Sequence, residues 1–169
     1  MSGVAIANQL MFVFNVTIFG AVSGAGIFGA QFFGSGNHEG LKNTFRFKMI
    51  SCILLGLFTI VLFVFAGEHL ISFYLNDSND AESIKQTLYY GKRYLNIMVI
   101  GLIPFAISNT YSSTIRETGE TVVPMISSIS AVLTNLVFNY ILIFGMFGAP
   151  KLGVVGAAIA TVISRFVEL

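Results

Sequence analysis

The chain has 169 residues, of which 55% are hydrophobic and 10% are charged, and its net charge is +1. Soluble domains carry about 25% charged residues, so this composition is typical of a membrane protein and not of a soluble one. The small net charge speaks against nucleic acid as a partner, and the single cysteine, Cys52, excludes a disulfide within the chain.

Five apolar segments, separated by short polar stretches, predict a helical membrane protein. A helix needs about 20 apolar residues to cross the hydrocarbon core of a bilayer. The first four segments reach this length, and the fifth does so in part. The segments cover residues 4–33, 49–67, 94–115, 122–146 and 154–169. We therefore predict an all-α, polytopic transmembrane helical bundle, in which residues 1–169 form a partial transmembrane domain.

The first segment is apolar but carries a polar side. Asn8 and Asn15 lie two turns apart on one face of the predicted helix, and Gln9 lies beside them. Because an amide exposed to lipid is costly, we expect these three side chains to line the interior of the bundle. They serve there either as structural hydrogen-bonding groups or as contacts to a substrate.

Small residues predict where membrane helices touch. Gly20 and Gly24 in the first segment have the GxxxG spacing that permits close approach of two helices. Gly153 and Gly156 begin a similar pattern in the fifth segment, continued by alanine. We expect helix contacts along both ridges.

Local chemistry predicts the helix ends around the third segment. Asp80 or Ser83 is expected to cap the amphipathic lead-in to this segment. Pro104 is expected to bend the segment, because proline removes a backbone hydrogen bond and crowds the preceding turn. A short turn at residues 117–121 then leads into the fourth segment, where Pro124 fits the first helical turn.

The fourth segment holds the most informative polar pattern. Asn135 and Asn139 are four residues apart, and Ser128 falls on the same side of a helix with about 3.6 residues per turn. A buried amide costs free energy unless a partner satisfies it. Two interpretations stay open: the stripe hydrogen-bonds a neighbouring helix, or it forms a cation or substrate site inside the bundle.

The fifth segment places two charges, Arg165 and Glu168, at mid-bilayer depth if its helix begins near Val154. An intramembrane charge pair is a candidate functional site, and a structural pair facing a water-filled cavity fits equally well. The sequence contains no metal-site spacing, no nucleophile with a base and no phosphate-binding glycine loop. We therefore predict that the protein is not an enzyme.

Motifs along the whole chain resemble the multidrug and toxic compound extrusion (MATE) family. They are an arginine–glycine turn ending in Thr-Val-Val-Pro-Met at residues 115–125, the asparagine pair of the fourth segment, and the glycine-rich stretch 153–161. Upstream, residues 7–9 and 30–36 look like the family's second helix and the loop after it. The order and spacing of these motifs together carry the resemblance.

The resemblance implies a place for the chain within a larger fold. Family members have twelve helices in two lobes, and the chain would run from helix two to the start of helix six of the N-terminal lobe. Residues 34–48 and 115–121 would be cytoplasmic. Both ends of the sequence also look cut, so we expect an internal piece of a longer, multi-pass protein. Its location would be the plasma membrane, with the bacterial inner membrane preferred, and its partners the bilayer and the remaining transporter helices.

The resemblance also implies a function. Family transporters export drug-like or toxic organic compounds by alternating access, in exchange for sodium or protons. Asn135, Asn139 and Thr161 match part of the family's cation site, whose aspartate on helix one lies outside this chain. No cofactor is expected besides the coupling ion, and no metal besides sodium.

Some family members carry an acid where Asn139 stands. An amide does not exchange a proton at physiological pH, so coupling at Asn139 would depend on coordination by oxygen. Two alternatives to the antiporter remain. One is a related flippase for lipid-linked precursors, and the other is a membrane scaffold that transports nothing.

Overall fold

A computed structural model describes residues 3–73, 81–146 and 150–169. These residues form six α-helices, and no strand occurs among them. The helices are α1 Gly3–Gly34, α2 His38–Phe73, α3 Ala81–Ile100, α4 Leu102–Glu117, α5 Val122–Phe144 and α6 Val154–Glu168. The expected cap at Asp80 or Ser83 lies outside the part of the chain whose side chains the structure describes.

Among the described residues, three helices are long and apolar enough to cross a membrane: α1, the His38–Gly67 part of α2, and α5. The bent pair α3 and α4 makes a fourth span if the pair is counted as one. With 15 residues, α6 is shorter than the roughly 20 residues that a helix needs to cross a bilayer core. The predicted fold class, an all-α transmembrane bundle, is confirmed.

The second helix begins at His38, whereas the sequence predicted an apolar segment from residue 49 and a cytoplasmic loop over 34–48. Asn37 starts the helix, because its Oδ1 accepts a hydrogen bond from the backbone N–H of Gly40 at 2.9 Å. With 36 residues, α2 is about 54 Å long, well beyond a bilayer core of about 30 Å. The apolar segment predicted over residues 49–67 covers only part of this helix, whose candidate membrane span is His38–Gly67.

The third predicted span is broken at Gly101, where α3 and α4 meet at 45°. Pro104 lies in the first turn of α4 and has no N–H to donate to the carbonyl of Ile100. The backbone N–H of Gly101 bonds instead to the carbonyl of Met98 at 3.0 Å, and that of Phe105 bonds to the carbonyl of Gly101 at 3.2 Å. The bend expected from the proline is present three residues before it.

The apolar core lies between the first four helices and includes Ala158 of α6. In α1, Met11, Phe14 and Ile18 recur at helical spacing, and all three are buried. They pack with Cys52 of α2 and Leu102 of α4 in one cluster. Outside this core, α5 packs against α6 and to a smaller extent against α4, and most of its apolar surface is exposed in this chain.

The expected GxxxG contact at Gly20 and Gly24 is not formed among the described residues. A Cβ added at either glycine would meet nothing within 4 Å. The reason is the rotation of α1, whose apolar stripe faces the core and leaves these glycines on the exposed side. Gly26 and Gly29 make the close approach instead, and both lie against the carboxylate of Glu117.

Candidate cation site

Four polar side chains meet where α5 packs against α6, and we call Asn135, Asn139, Thr161 and Ser164 the polar cluster. Asn139 Nδ2 donates a hydrogen bond to Asn135 Oδ1 at 2.8 Å. Asn135 Nδ2 in turn lies 3.4 Å from Thr161 Oγ1 and 3.5 Å from Ser164 Oγ. The structure thus brings together all three residues that the resemblance assigned to a cation site, and adds Ser164.

Both hydroxyl groups present lone pairs to the polar cluster. Thr161 Oγ1 donates its proton to the carbonyl of Ala157 at 2.9 Å, and Ser164 Oγ donates to the carbonyl of Thr161 at 2.8 Å. A hydroxyl whose proton is committed in this way can only accept from Asn135. Asn139 Oδ1 is buried and has no hydrogen-bond partner among the described residues. The cluster therefore offers oxygen atoms, one of which lacks a donor.

Gly156 permits the close packing of α6 on α5 that assembles the cluster. A Cβ at this position would lie 2.7 Å from the carbonyl oxygen of Leu142, closer than side chains approach a backbone. The backbone N–H of Leu152 donates to the same carbonyl at 3.0 Å, which ties the entry of α6 to α5. Thr161 follows Gly156 by about one and a half turns and so lies opposite Asn135.

Arg165 and Glu168 do not form the expected ion pair with each other among the described residues. Arg165 is buried, its Nη1 donates to the carbonyl of Gly101 at 3.2 Å, and its guanidinium lies 4.7 Å from the ring centroid of Phe105. Glu168 Oε1 accepts a hydrogen bond from Ser128 Oγ at 3.1 Å. The broken helix pair holds the arginine on one side, while α5 holds the glutamate on the other.

A cavity of about 360 Å³ opens beside the polar cluster. It is lined by Phe105, Ser128, Ala131, Val132, Asn135, Thr161, Ser164, Arg165 and Glu168. Since a water molecule takes about 30 Å³ in the liquid, the cavity has room for a cation with part of its hydration shell. Ser128, which was predicted to lie on the asparagine face, is in this lining.

The polar residues of α1 lie away from this cavity. Asn8 and Gln9 are exposed, and Asn8 Oδ1 accepts a hydrogen bond from the hydroxyl of Tyr94 at 3.0 Å. Asn15 is half-buried, and its Oδ1 has no partner among the described residues. The apolar stripe of α1 occupies the inner face that these residues were expected to share. Their role as lining of a substrate cavity stays a prediction.

A buried ion pair between Lys48 and Glu117 was not predicted from the sequence. Lys48 Nζ lies 2.7 and 2.8 Å from the two carboxylate oxygens of Glu117, and Ser113 Oγ donates to the same carboxylate at 2.6 Å. The side chains of the pair are 0% and 10% exposed. The sequence does carry a signal, because Thr44, Lys48 and Cys52 recur every four residues and would share one face of a helix. All three are buried, but Thr44 and Lys48 fall in the segment that was predicted to be a loop.

The chemistry of the polar cluster suits a hard cation such as sodium. Hard cations take carboxylate, carbonyl and hydroxyl oxygens as ligands, and Asn139 Oδ1 is a buried oxygen that such an ion would satisfy. Among the described residues, no three histidine, cysteine, aspartate or glutamate side chains lie close enough together to hold a metal ion. The oxygens of the four cluster side chains are all neutral.

Comparison with known proteins relates the chain to membrane transporters. A model of the MatE family matches residues 1–141. Over 167 residues, the chain is 33% identical to a probable multidrug resistance protein NorM of Thermotoga maritima, covering 99% of this chain and 34% of that protein. Over 161 residues, it is 30% identical to a probable multidrug resistance protein NorM of Bacillus cereus, covering 95% and 34%.

The chain spans about a third of the length of these relatives. No solved structure matches it. Its apolar helices and these relatives make it part of a multi-pass membrane protein. The match over residues 1–141 means that the chain belongs to the MatE family, the multidrug and toxic compound extrusion proteins that its sequence motifs resemble.

Proposed function

We propose that this chain is part of a cation-coupled antiporter of the plasma membrane that exports drug-like or toxic organic compounds by alternating access. The observation that carries the proposal is Asn139 Oδ1, a buried oxygen that has no hydrogen-bond donor among the described residues and whose side chain contacts Asn135 of the polar cluster. An oxygen left in this state costs free energy that a bound cation would recover. The NorM relatives, named for multidrug resistance, support export as the activity.

In this proposal the polar cluster coordinates the coupling cation. Asn139 Oδ1 and the free lone pairs of Thr161 and Ser164 are the ligands that α5 and α6 supply. Because these ligands are neutral, the negative charge that balances the cation comes from outside the polar cluster. An amide does not release a proton near pH 7, so sodium is the ion that this cluster favours, and a proton would travel through a different group.

The surroundings of Arg165 favour export over lipid-precursor flipping. A flippase for phosphate-bearing lipids needs basic side chains that face its cavity. Arg165 is the basic residue in the lining of the 360 Å³ cavity, it is 8% exposed, and it is already held by Gly101 and Phe105. A scaffold that transports nothing, for its part, has no use for a buried oxygen without a partner.

The test uses the full-length protein in proteoliposomes with an imposed sodium or proton gradient and a fluorescent cationic dye as substrate. We expect a gradient to drive dye export by the unaltered protein. Asn135→Ala and Asn139→Ala should reduce the gradient-driven rate by about tenfold or more, with expression retained. The matched control is Ser130→Ala on the same helix, because the Ser130 hydroxyl is exposed and bonds the carbonyl of Ile126 within α5.

Two outcomes would count against the proposal. If neither gradient drives export by the unaltered protein, the antiporter assignment is wrong. If both asparagine variants keep full gradient dependence, the coupling cation binds somewhere other than the polar cluster.

A further inference from the structure

Arg165 connects the polar cluster to the break between α3 and α4. We propose that Arg165 is a positioning residue that couples occupancy of the cluster to the angle between these two helices. The inference rests on the proposed cation site and adds to it a route by which cation binding reaches the rest of the bundle. Its basis is the position of one buried guanidinium between two distinct features.

The first feature is the break itself. Pro104 leaves the carbonyl of Ile100 without its helical donor and the helix is interrupted at Gly101, whose own carbonyl accepts from the N–H of Phe105 and from a second donor on α6. Arg165 Nη1 donates a hydrogen bond to the carbonyl of Gly101 at 3.2 Å, and the guanidinium packs over the ring of Phe105 in the first turn of α4. A single side chain of α6 therefore contacts the residue at the break and the helix that follows it.

The fit at Gly101 is tight enough to transmit a displacement. A Cβ at Gly101 would lie 2.9 Å from Arg165 Cδ and 3.4 Å from Arg165 Nη1. The absence of a side chain at Gly101 therefore makes room for Arg165 at the break. If α6 moves and carries Arg165 with it, either the contacts of Arg165 with Gly101 and Phe105 are lost or α3 and α4 follow it.

The second feature is the polar cluster. Arg165 comes directly after Ser164 and one turn after Thr161, both of which contact Asn135 Nδ2. The same 360 Å³ cavity is lined by Arg165 together with Asn135, Thr161 and Ser164. When a cation binds, the two hydroxyl oxygens turn from the asparagine amide towards the ion. Because α6 is a continuous helix over Val154–Glu168, a shift at Thr161 and Ser164 displaces Arg165 with it.

Burial keeps the guanidinium engaged during such a movement. Arg165 is 8% exposed, and a buried charge that loses its partners is strongly disfavoured. No carboxylate pairs with it among the described residues. The Gly101 carbonyl and the Phe105 ring are therefore the partners to which the charge is bound, and helices α3 and α4 move with them.

The experiment measures the bend directly in the full-length protein in nanodiscs. Spin labels are placed at Tyr90 and Tyr111, which are exposed in this chain on either side of the break. The distance between the labels is measured with and without sodium, and sodium affinity is measured separately. We expect a sodium-dependent distance change in the parent protein. In Arg165→Gln this change should be lost and turnover should fall by about tenfold, while sodium affinity changes by less than about threefold.

Further variants separate positioning from folding. Arg93→Gln is the matched control, since Arg93 is an exposed arginine of α3. It should leave the distance change intact. Gly101→Ala disturbs the same contact from the side of the helix break and should also weaken the sodium-dependent distance change. It provides the test if Arg165→Gln does not fold. A full sodium-dependent distance change in either Arg165→Gln or Gly101→Ala would overturn this inference but leave the proposed cation site standing. Absence of sodium binding to the parent protein would instead overturn the proposed cation site and this inference with it.

Discussion

The Lys48–Glu117 ion pair and the polar cluster are both polar groups inside an apolar bundle, yet they are built in opposite ways. In the ion pair, the lysine contacts both carboxylate oxygens, and Ser113 donates a further hydrogen bond. In the polar cluster, the side chains are neutral and the contacts from Asn135 to α6 are 3.4 and 3.5 Å long. Asn139 Oδ1 has no donor within the part of the chain that the structure describes.

The difference separates a site that is complete within this chain from one that is not. A buried charge pair in which both carboxylate oxygens accept hydrogen bonds needs no ligand, and it holds α2 and α4 in a fixed relation. Long contacts and a buried oxygen without a partner leave room for a ligand to improve the polar cluster. We therefore expect changes at the ion pair to affect stability, and changes at the cluster to affect cation binding.

Glu117→Gln should produce the largest effect on stability, because it leaves the Lys48 charge buried without a counter-ion. We expect a loss of about 3–5 kcal/mol in the free energy of unfolding, measured by denaturant unfolding of the full-length protein in detergent. The control is Glu39→Gln in the exposed first turn of α2, for which we expect less than about 1 kcal/mol. Replacing both partners by apolar residues, Lys48→Met with Glu117→Leu, should restore much of the loss. Unchanged stability of Glu117→Gln would show that the pair does not hold the bundle together.

Gly29→Ala should produce the next largest effect. Its added methyl group would press on the Glu117 carboxylate and lie 3.1 Å from its Cδ, while Lys48 and Ser113 hold that carboxylate in place. We expect a loss of about 1–3 kcal/mol in the free energy of unfolding.

Gly24→Ala adds the same atom to the same helix, where nothing lies within 4 Å. Alanine favours a helix over glycine by about 1 kcal/mol, so this control should be neutral or slightly stabilising in the same unfolding measurement. Equal losses at Gly24 and Gly29 would mean that the small-residue ridge, and not the ion pair, sets the packing of α1.

The polar cluster was accessible from the sequence because its geometry is local. The spacing of Asn135 and Asn139 fixes their common face on any helix, and the family motifs supplied Thr161 as the third member. Ser164 was not named, although it follows Thr161 by three residues on the same helix. The helical fold was predictable for the same reason, since runs of about 20 apolar residues leave few other options.

The ion pair was not accessible, because its partners are far apart in the chain and each falls just outside an apolar segment. Lys48 directly precedes the second segment, and Glu117 follows the third. Hydropathy assigns such charges to loops, whereas α2 begins ten residues before Lys48. The rotation of α1, which turns Gly26 and Gly29 inward and Gly24 outward, likewise depends on packing that one helix alone does not reveal.

Thr161→Val should have the smallest effect on stability and the clearest effect on cation response. The variant removes an acceptor that lies 3.4 Å from Asn135 Nδ2, so we expect a loss of about 0.5–1.5 kcal/mol. A cation that binds the folded protein raises its melting temperature by mass action. The sodium-induced rise measured for the parent should therefore shrink in Thr161→Val and persist in Thr161→Ser, which keeps the hydroxyl.

Thr114→Val provides the control, because the Thr114 hydroxyl bonds the carbonyl of Thr110 within α4 and lies outside the cluster. It should lose comparable stability while its sodium-induced rise stays intact. The pair thus distinguishes an oxygen that serves a ligand from one that serves its own helix. If both valine variants respond to sodium as the parent does, Thr161 contributes to the packing of α5 on α6 and not to a cation site. The polar cluster would then be, like the ion pair, a structural contact.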